Sequence, residues 1–158
     1  MPTAAENRQR IADFYAAFAA RDGTAMAAHY APDATFEDPA FGKLSGEEAG
    51  DMWRMLTGRA ADLKIELPSH DATDDAGSAN WIAHYTFAQT GRPVVNNVTA
   101  TFRFAPDGRF ADHRDDFSFH AWSKQALGTV GTLLGWTPIL SSATQRKARA
   151  QLDAFRAR

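Results

Sequence analysis

The sequence contains no cysteine, and it also lacks a long apolar run and a strong charge of either sign. Without a thiol, the chain cannot form a disulfide, a thiolate nucleophile, a zinc knuckle or an iron–sulfur cluster. No apolar run approaches the length of a membrane span, and the polar residues 1–10 lack the hydrophobic core of a secretion signal. The net charge is −2, and the sequence has no basic cluster of the kind that nucleic acid or an anionic membrane attracts. We therefore expect a cytoplasmic protein that binds neither nucleic acid nor membrane.

The 158 residues, of which 44% are hydrophobic, are enough to build one domain with a substantial core. Apolar residues first recur at three and four residue steps, which predicts helices, and after Gly58 they alternate, which predicts strands. Ser45 and Glu48 form a capping-box pattern at the start of a helix that we expect to end at Gly58. The predicted helices are about 5–21, 24–30, 45–56 and 141–156, and the predicted strands are about 34–37, 61–67, 79–89, 94–104 and 110–119.

The four long strands follow one another through short turns, which predicts an antiparallel meander. We expect one domain over residues 1–158, with a core of about 8–122 and a helical extension of about 123–158. The pattern of the last helix leaves open whether it lies on the sheet or across a partner subunit.

The strand at residues 110–119 carries two ionisable groups on its apolar face. Side chains of a strand alternate between faces, so His113 and Asp115 share a face with Phe117 and Phe119, while Arg114 and Asp116 point the other way. An isolated charge is too costly to bury, so these two groups must be paired, hydrated or exposed to a cavity. The sequence thus predicts a cavity that contains His113 and Asp115.

Both residues also have simpler interpretations. Asp115 could be a buried carboxylate that is hydrogen-bonded for structural reasons, and His113 could be a core histidine satisfied by a neighbour. Together they supply only two metal ligands on one strand face, which is too few for a metal site. The glycine-containing segment at residues 128–135 follows a predicted helix, not a strand, and contains no lysine. It therefore does not match a phosphate-binding loop. We expect no metal and no cofactor.

The order of helices and strands resembles that of the nuclear transport factor two-like superfamily, and two short segments add to the resemblance. Residues 33–39, DATFEDP, resemble the DATxEDP segment of ketosteroid isomerase, and residues 106–117, PDGRFADHRDDF, resemble a strand of SnoaL-like polyketide cyclases and limonene epoxide hydrolase. The resemblance implies an α+β fold. In it, a cone-shaped, curved antiparallel sheet is closed by N-terminal helices around a central pocket, with extra C-terminal helices here.

The resemblance also implies site residues. The proton-shuttling base of the isomerase would be Asp38, and the catalytic aspartate of the cyclases and the epoxide hydrolase would be Asp115. Asp38 could instead cap the turn that Pro39 begins. The isomerase's two oxyanion donors fall on Phe14 and Ala100, which cannot donate hydrogen bonds, and the Arg-x-Asp pair of the epoxide hydrolase has no counterpart near Tyr85.

We therefore expect a cofactor-independent general acid/base enzyme that acts on a hydrophobic small molecule. Asp115 would be the base, His113 would tune it or relay its proton, and Asp38 would complete the catalytic set. Isomerisation, cyclisation, dehydration and epoxide opening all remain open, as does a non-catalytic ligand-binding or dimerisation module. The outer face of the sheet, with Arg114 and Asp116, is polar enough to suit a homodimer. The expected substrate-binding residues are Tyr85 and Asn96 as polar contacts and Phe117, Phe102, Val98, Phe14, Phe18 and Trp53 as apolar walls.

Overall fold

Helices pack against a curved sheet of six strands. The structure is a computed structural model that describes residues 2–158. The helices are α1 (Ala4–Ala19), α2 (Gly23–Ala27), α3 (Gly46–Arg59), α4 (Phe119–Leu127), α5 (Thr129–Leu134) and α6 (Pro138–Arg156). The strands are β1 (Tyr30–Asp38), β2 (Gly42–Ser45), β3 (Lys64–Ala72), β4 (Ala76–Phe87), β5 (Arg92–Phe104) and β6 (Phe110–Asp116).

The sheet has the strand order β2-β1-β6-β5-β4-β3. The predicted meander of four long strands is confirmed as β3 to β6, with each strand antiparallel to the next. The last strand then pairs with β1, and this pairing is parallel, with Phe36 opposite His113. The fold is therefore α+β, as expected, and the parallel pair brings the two predicted catalytic strands side by side.

The beginning of β1 is a correction to the sequence analysis. Residues 24–30 were predicted to be helical, but α2 ends at Ala27 and β1 begins at Tyr30. Pro32 falls between the predicted helix at 24–30 and the predicted strand at 34–37, whereas in the structure it lies inside β1. The ladder between β1 and β6 is irregular between Tyr30 and Thr35, so Pro32 sits where no regular ladder bond needs its missing N–H.

The core lies between the inner face of the sheet and the helices α1 and α3. Phe14 of α1 is fully buried and meets Phe110, Tyr15 and His113 edge-to-face at centroid distances of 5.1–5.7 Å. The capping box of α3 is confirmed, because Ser45 and Glu48 each accept a hydrogen bond from the other's backbone N–H. The helix continues through Gly58, the expected stop, to Arg59, whereas its predicted range ends at about residue 56.

The three C-terminal helices form a separate layer over α3 and β5. A Cβ added at Gly131 would collide with the carbonyl oxygen of Ser123, so this glycine lets α5 pack closely on α4. α6 packs against α3 and buries Leu152 completely. Within residues 2–158, no helix combines the length and the apolar character that crossing a membrane requires.

Where α5 turns into α6, several large apolar side chains are exposed, and we refer to them as the exposed corner. Their exposed fractions range from 48% to 79%. The exposed corner consists of Val130, Leu133, Leu134, Trp136 and Ile139.

Candidate functional site

A cavity of about 420 Å³ lies between the inner face of the sheet, α3 and α6. This volume is within the range of small-molecule sites. Most of the lining side chains are apolar, so the few polar groups among them determine what the cavity can bind or transform. The ionisable residues in the lining are Asp38, Tyr85, Asp115 and Lys147.

Asp115 is held in one orientation by two N–H donors. Its Oδ1 atom accepts hydrogen bonds from Nε2 of His113 at 2.8 Å and from Nε1 of Trp81 at 3.3 Å. The residue is 3% exposed, and that small surface faces the cavity. Among residues 2–158, no hydrogen bond reaches Oδ2. A carboxylate with one oxygen anchored and the other free can accept a proton from a bound molecule.

His113 lies behind Asp115, in a chain of hydrogen bonds that fixes the orientation of its ring. Trp53 donates from Nε1 to the Tyr30 hydroxyl at 2.8 Å, and that hydroxyl lies 2.7 Å from Nδ1 of His113. Burial raises the pKa of Tyr30 well above its ordinary value of 10.0, so the hydroxyl keeps its proton. Since the hydroxyl oxygen already accepts from Trp53, its proton is directed at Nδ1, and the hydrogen on Nε2 of His113 is directed at Asp115.

Asp38 lies next to Asp115 on the neighbouring strand. In the parallel pair, Phe36 is opposite His113 and Glu37 is opposite Arg114, so the next step places Asp38 beside Asp115 on the same face. Adjacent strands are about 4.8 Å apart. Burial raises the pKa of Asp38 from 3.8 to about 7, against the effect of the Phe41 N–H and with a further increase from the Asp115 charge. A large fraction of Asp38 is therefore protonated near neutral pH.

The Asp38 carboxyl group also caps a turn, as its alternative interpretation predicted. Its Oδ1 atom accepts hydrogen bonds from the backbone N–H groups of Ala40 at 2.9 Å and Phe41 at 2.6 Å. The same side chain lines the cavity. The two interpretations are compatible, because the turn uses one carboxyl oxygen and the cavity can use the other.

Two further polar groups face the cavity from β4 and β5. The Tyr85 hydroxyl accepts a hydrogen bond from Nε1 of Trp122 at 2.8 Å. Burial raises the pKa of Tyr85, and the Asp38 charge adds to this effect, so the hydroxyl remains a neutral donor. Asn96 is opposite Ala83 in the ladder and is partly buried at the cavity wall.

The chain is similar in sequence to one family of known proteins and in fold to solved structures. The family described as "SnoaL-like domain" matches residues 11–113, about two thirds of the chain. The chain belongs to this family. No curated protein matches it. Among solved structures, an M.tuberculosis LEH-like epoxide hydrolase is similar to this SnoaL-like protein with a TM-score of 0.66 and 20% identity, over 83% of this chain and 97% of the other. At 20% identity, this similarity shows a shared fold only. The shared fold agrees with the expected nuclear transport factor two-like architecture.

Most of the residues predicted for the site of this SnoaL-like protein line the cavity. The predicted orientation of β6 is confirmed, since Asp115 faces the cavity while Arg114 and Asp116 are exposed on the outer face. The predicted residues that line the cavity are Asp38, Asp115, Tyr85, Asn96, Phe117, Phe18 and Trp53.

Four predicted site residues require correction, because the structure places them in the packed core and not at the cavity surface. His113 is 0% exposed and reaches the cavity only through Asp115. Phe102, Val98 and Phe14 are at most 2% exposed, since α1 packs directly onto that part of the sheet. None of the four is available for contact with a molecule in this cavity.

Sequence reasoning missed Trp81 as a donor to Asp115, Tyr30 as the partner of His113, and the whole contribution of α6. Alternation placed Trp81 on the inner face of β4 but indicated nothing about its indole N–H. Tyr30 was assigned to a helix. The pattern of α6 predicted an amphipathic helix but not its position. The α6 residues at the cavity are Leu140, Ala143, Thr144, Lys147, Ala148 and Gln151.

The positions of the missing oxyanion donors remain apolar in the structure. Phe14 and Ala100 are both fully buried. Tyr15, the neighbour of Phe14, is buried too, and among residues 2–158 its hydroxyl has no hydrogen-bond partner. Both ring nitrogens of His113 are occupied by protein partners, which leaves it no lone pair for a metal. Within the described chain, no three potential ligands are grouped as a metal site.

Proposed function

We propose that this SnoaL-like protein is a cofactor-independent enzyme that uses Asp115 and Asp38 as a general base and a general acid on an apolar small molecule. The observation that carries this proposal is the pair of carboxyl groups on neighbouring strands of one apolar cavity, in different environments. Paired carboxyl groups whose environments differ are the usual basis of acid/base assignments.

The hydrogen bonds support the assignment of the two roles. Two N–H donors hold Oδ1 of Asp115, and Oδ2 is left to accept a proton. Asp38, with a pKa of about 7, holds a proton that it can give to a substrate oxygen. His113 is a positioning residue, which orients Asp115 through its Nε2–H. Tyr85 and Asn96 are suited to hold a substrate oxygen.

Addition of water to an epoxide is a reaction that fits these roles. Asp115 would take a proton from a water molecule as the water oxygen attacks an epoxide carbon, and Asp38 would protonate the oxygen released when the carbon–oxygen bond breaks. The product is a diol, and solvent returns the protons to their original sites. The structurally similar protein is described as an LEH-like epoxide hydrolase, which supports testing epoxides first. Isomerisation of a ketosteroid is less suited, since losing an oxyanion donor typically costs about 3 kcal/mol of transition-state stabilisation.

The test is a substrate screen combined with two matched carboxamide variants. The screen should include apolar epoxides, polyketide-like substrates and a 5-ene-3-ketosteroid. We expect Asp115→Asn to retain the fold and the binding of apolar ligands, while turnover falls about a hundredfold or more, which is the usual contribution of a general base.

Two outcomes would contradict the proposal. Fast steroid isomerisation that survives Asp115→Asn and is lost in Asp38→Asn would reverse the roles of the carboxyl groups. Ligand binding without turnover on any substrate would instead indicate a non-catalytic binding module of the same fold.

A further inference from the structure

The charged groups that line the cavity are separated by sign. The two carboxyl groups, Asp38 and Asp115, lie on the sheet at the inner end, on β1 and β6. The cation in the lining is Lys147 on α6, an exposed residue and hence at the rim where the cavity meets solvent. Between the two ends the walls are formed mainly by aromatic and aliphatic side chains.

Lys147 differs from two other cations of the same helix in having no acidic partner. Arg149 pairs with Glu48, and Arg156 pairs with Glu47, Glu48 and Asp51 of α3. Among residues 2–158, Lys147 forms no ion pair, and its Nζ donates to the side-chain oxygen of Gln89 at 2.6 Å. Its positive charge is thus available to a ligand.

The rim also offers neutral groups that suit an anion. Thr144, Lys147 and Gln151 are spaced three and four residues apart, so they share the face of α6 that lines the cavity. Gln89 accepts the Lys147 hydrogen bond through its oxygen, which leaves its amide N–H groups free to donate. A carboxylate at this rim would meet one cation and several hydrogen-bond donors.

We propose that the ligand of this cavity is an apolar molecule with a carboxylate at one end, and that Lys147 binds the carboxylate while the uncharged end lies at Asp115 and Asp38. This assignment rests on the proposed function for the identity of the reacting end. The opposite orientation would bring an anion beside two carboxyl groups in an apolar cavity, where repulsion between like charges is poorly screened.

The test measures the binding of decanoate and 1-decanol, which share an apolar body and differ in the charge of one end. Isothermal titration calorimetry is performed on the wild type, on Lys147→Gln and on Arg146→Gln. Arg146 is the matched control, because it is the adjacent exposed cation and lies outside this cavity.

We expect the wild type to bind decanoate more tightly than decanol. Lys147→Gln should weaken decanoate binding about tenfold and change decanol binding less than about twofold, while Arg146→Gln should change neither. Added salt should reduce the preference for decanoate.

The proposal is overturned if decanoate binds no more tightly than decanol, if neither probe binds, or if the two variants weaken decanoate equally. This test measures ligand binding, whereas the proposed function is tested by turnover. Failure of the carboxylate assignment is therefore distinguishable from failure of the proposed function. If the wild type turns over a substrate but shows no preference for decanoate over decanol, only the carboxylate assignment is refuted. If it binds these ligands but turns over no substrate, the enzymatic role is refuted.

Discussion

Two buried tyrosines near Asp115 differ in what their hydroxyl groups contact. The Tyr30 hydroxyl is bonded to both Trp53 and His113, whereas the Tyr15 hydroxyl has no partner within residues 2–158. Replacing Tyr30 with phenylalanine leaves two buried polar groups unpaired, at a cost of about 1–3 kcal/mol each. We therefore expect Tyr30→Phe to lower the free energy of unfolding in urea by at least about 2 kcal/mol.

Tyr15→Phe is the matched control for that variant, because it removes the same atom from an equally buried ring. An unpaired buried hydroxyl contributes nothing favourable, so its loss should leave the free energy of unfolding unchanged or raise it by about 1 kcal/mol. Equal destabilisation by the two variants would contradict the hydrogen-bond chain derived for Tyr30.

The raised pKa of Asp38 predicts how stability depends on pH. The folded protein holds a proton on Asp38 up to about pH 7, whereas the unfolded chain releases it near 3.8. Because the folded state binds more protons in this interval, the free energy of unfolding should decrease as the pH rises from about 4 to about 7. Urea unfolding at several pH values measures this slope. Asp38→Asn should flatten it, and a slope identical in both proteins would refute the assignment.

At the scale of single residues, the sequence predicted the face to which a side chain points better than it predicted the hydrogen-bond partners of that side chain. Alternation along β6 placed Asp115 on the inner face correctly, because the strand period is a local property. The partners of Asp115 and His113 were not predictable in this way. Trp81 is 34 residues from Asp115, and Tyr30 is 83 residues from His113, so these hydrogen bonds depend on the packing of the whole sheet.

At the scale of elements, Glu48 connects two helices. Its side chain completes the capping box of α3 and also binds Arg149 and Arg156 of α6. Glu48→Gln retains a residue that suits the capping box but removes the charge that attracts α6. We expect this variant to increase amide hydrogen exchange along residues 145–156 while α3 remains protected.

Ser45→Ala supplies the control for that experiment. It removes the side-chain cap of α3 and should lower the free energy of unfolding by about 1 kcal/mol, without a selective effect on α6. If both variants increased exchange in α6 to the same extent, the ion pairs would not be what holds this helix over the cavity.

The elements of the sheet also illustrate where sequence reasoning ends. The four long strands were predicted because turn signals separate regular alternation. The parallel pairing of β1 with β6 was not, since the two strands are far apart in sequence and no local pattern encodes their contact. The same holds for α6, whose amphipathic period predicted a buried face but not the surface that covers it.

At the scale of the whole molecule, the predicted homodimer stays a prediction. The outer face of the sheet is polar, and Arg114 pairs there with Glu37 at 2.7 Å. We expect two chains to associate through this face, and Arg114→Glu to dissociate them because it places like charges together. Light scattering at micromolar concentration measures the mass, with Arg146→Glu as the control for charge reversal elsewhere.

A monomeric wild type would contradict this prediction. So would a dimer that survives Arg114→Glu and dissociates on Leu133→Ser, since that result would locate the interface at the exposed corner.

The distribution of tryptophans gives the protein an internal optical probe. Three of the four tryptophans, Trp53, Trp81 and Trp122, line the cavity. The fourth, Trp136, belongs to the exposed corner, and 72% of its surface is accessible to solvent. In a Trp136→Phe variant, all of the indole fluorescence would come from the cavity walls. Any compound that enters would then alter the emission directly, so candidate substrates can be screened without a label and before the reaction is known.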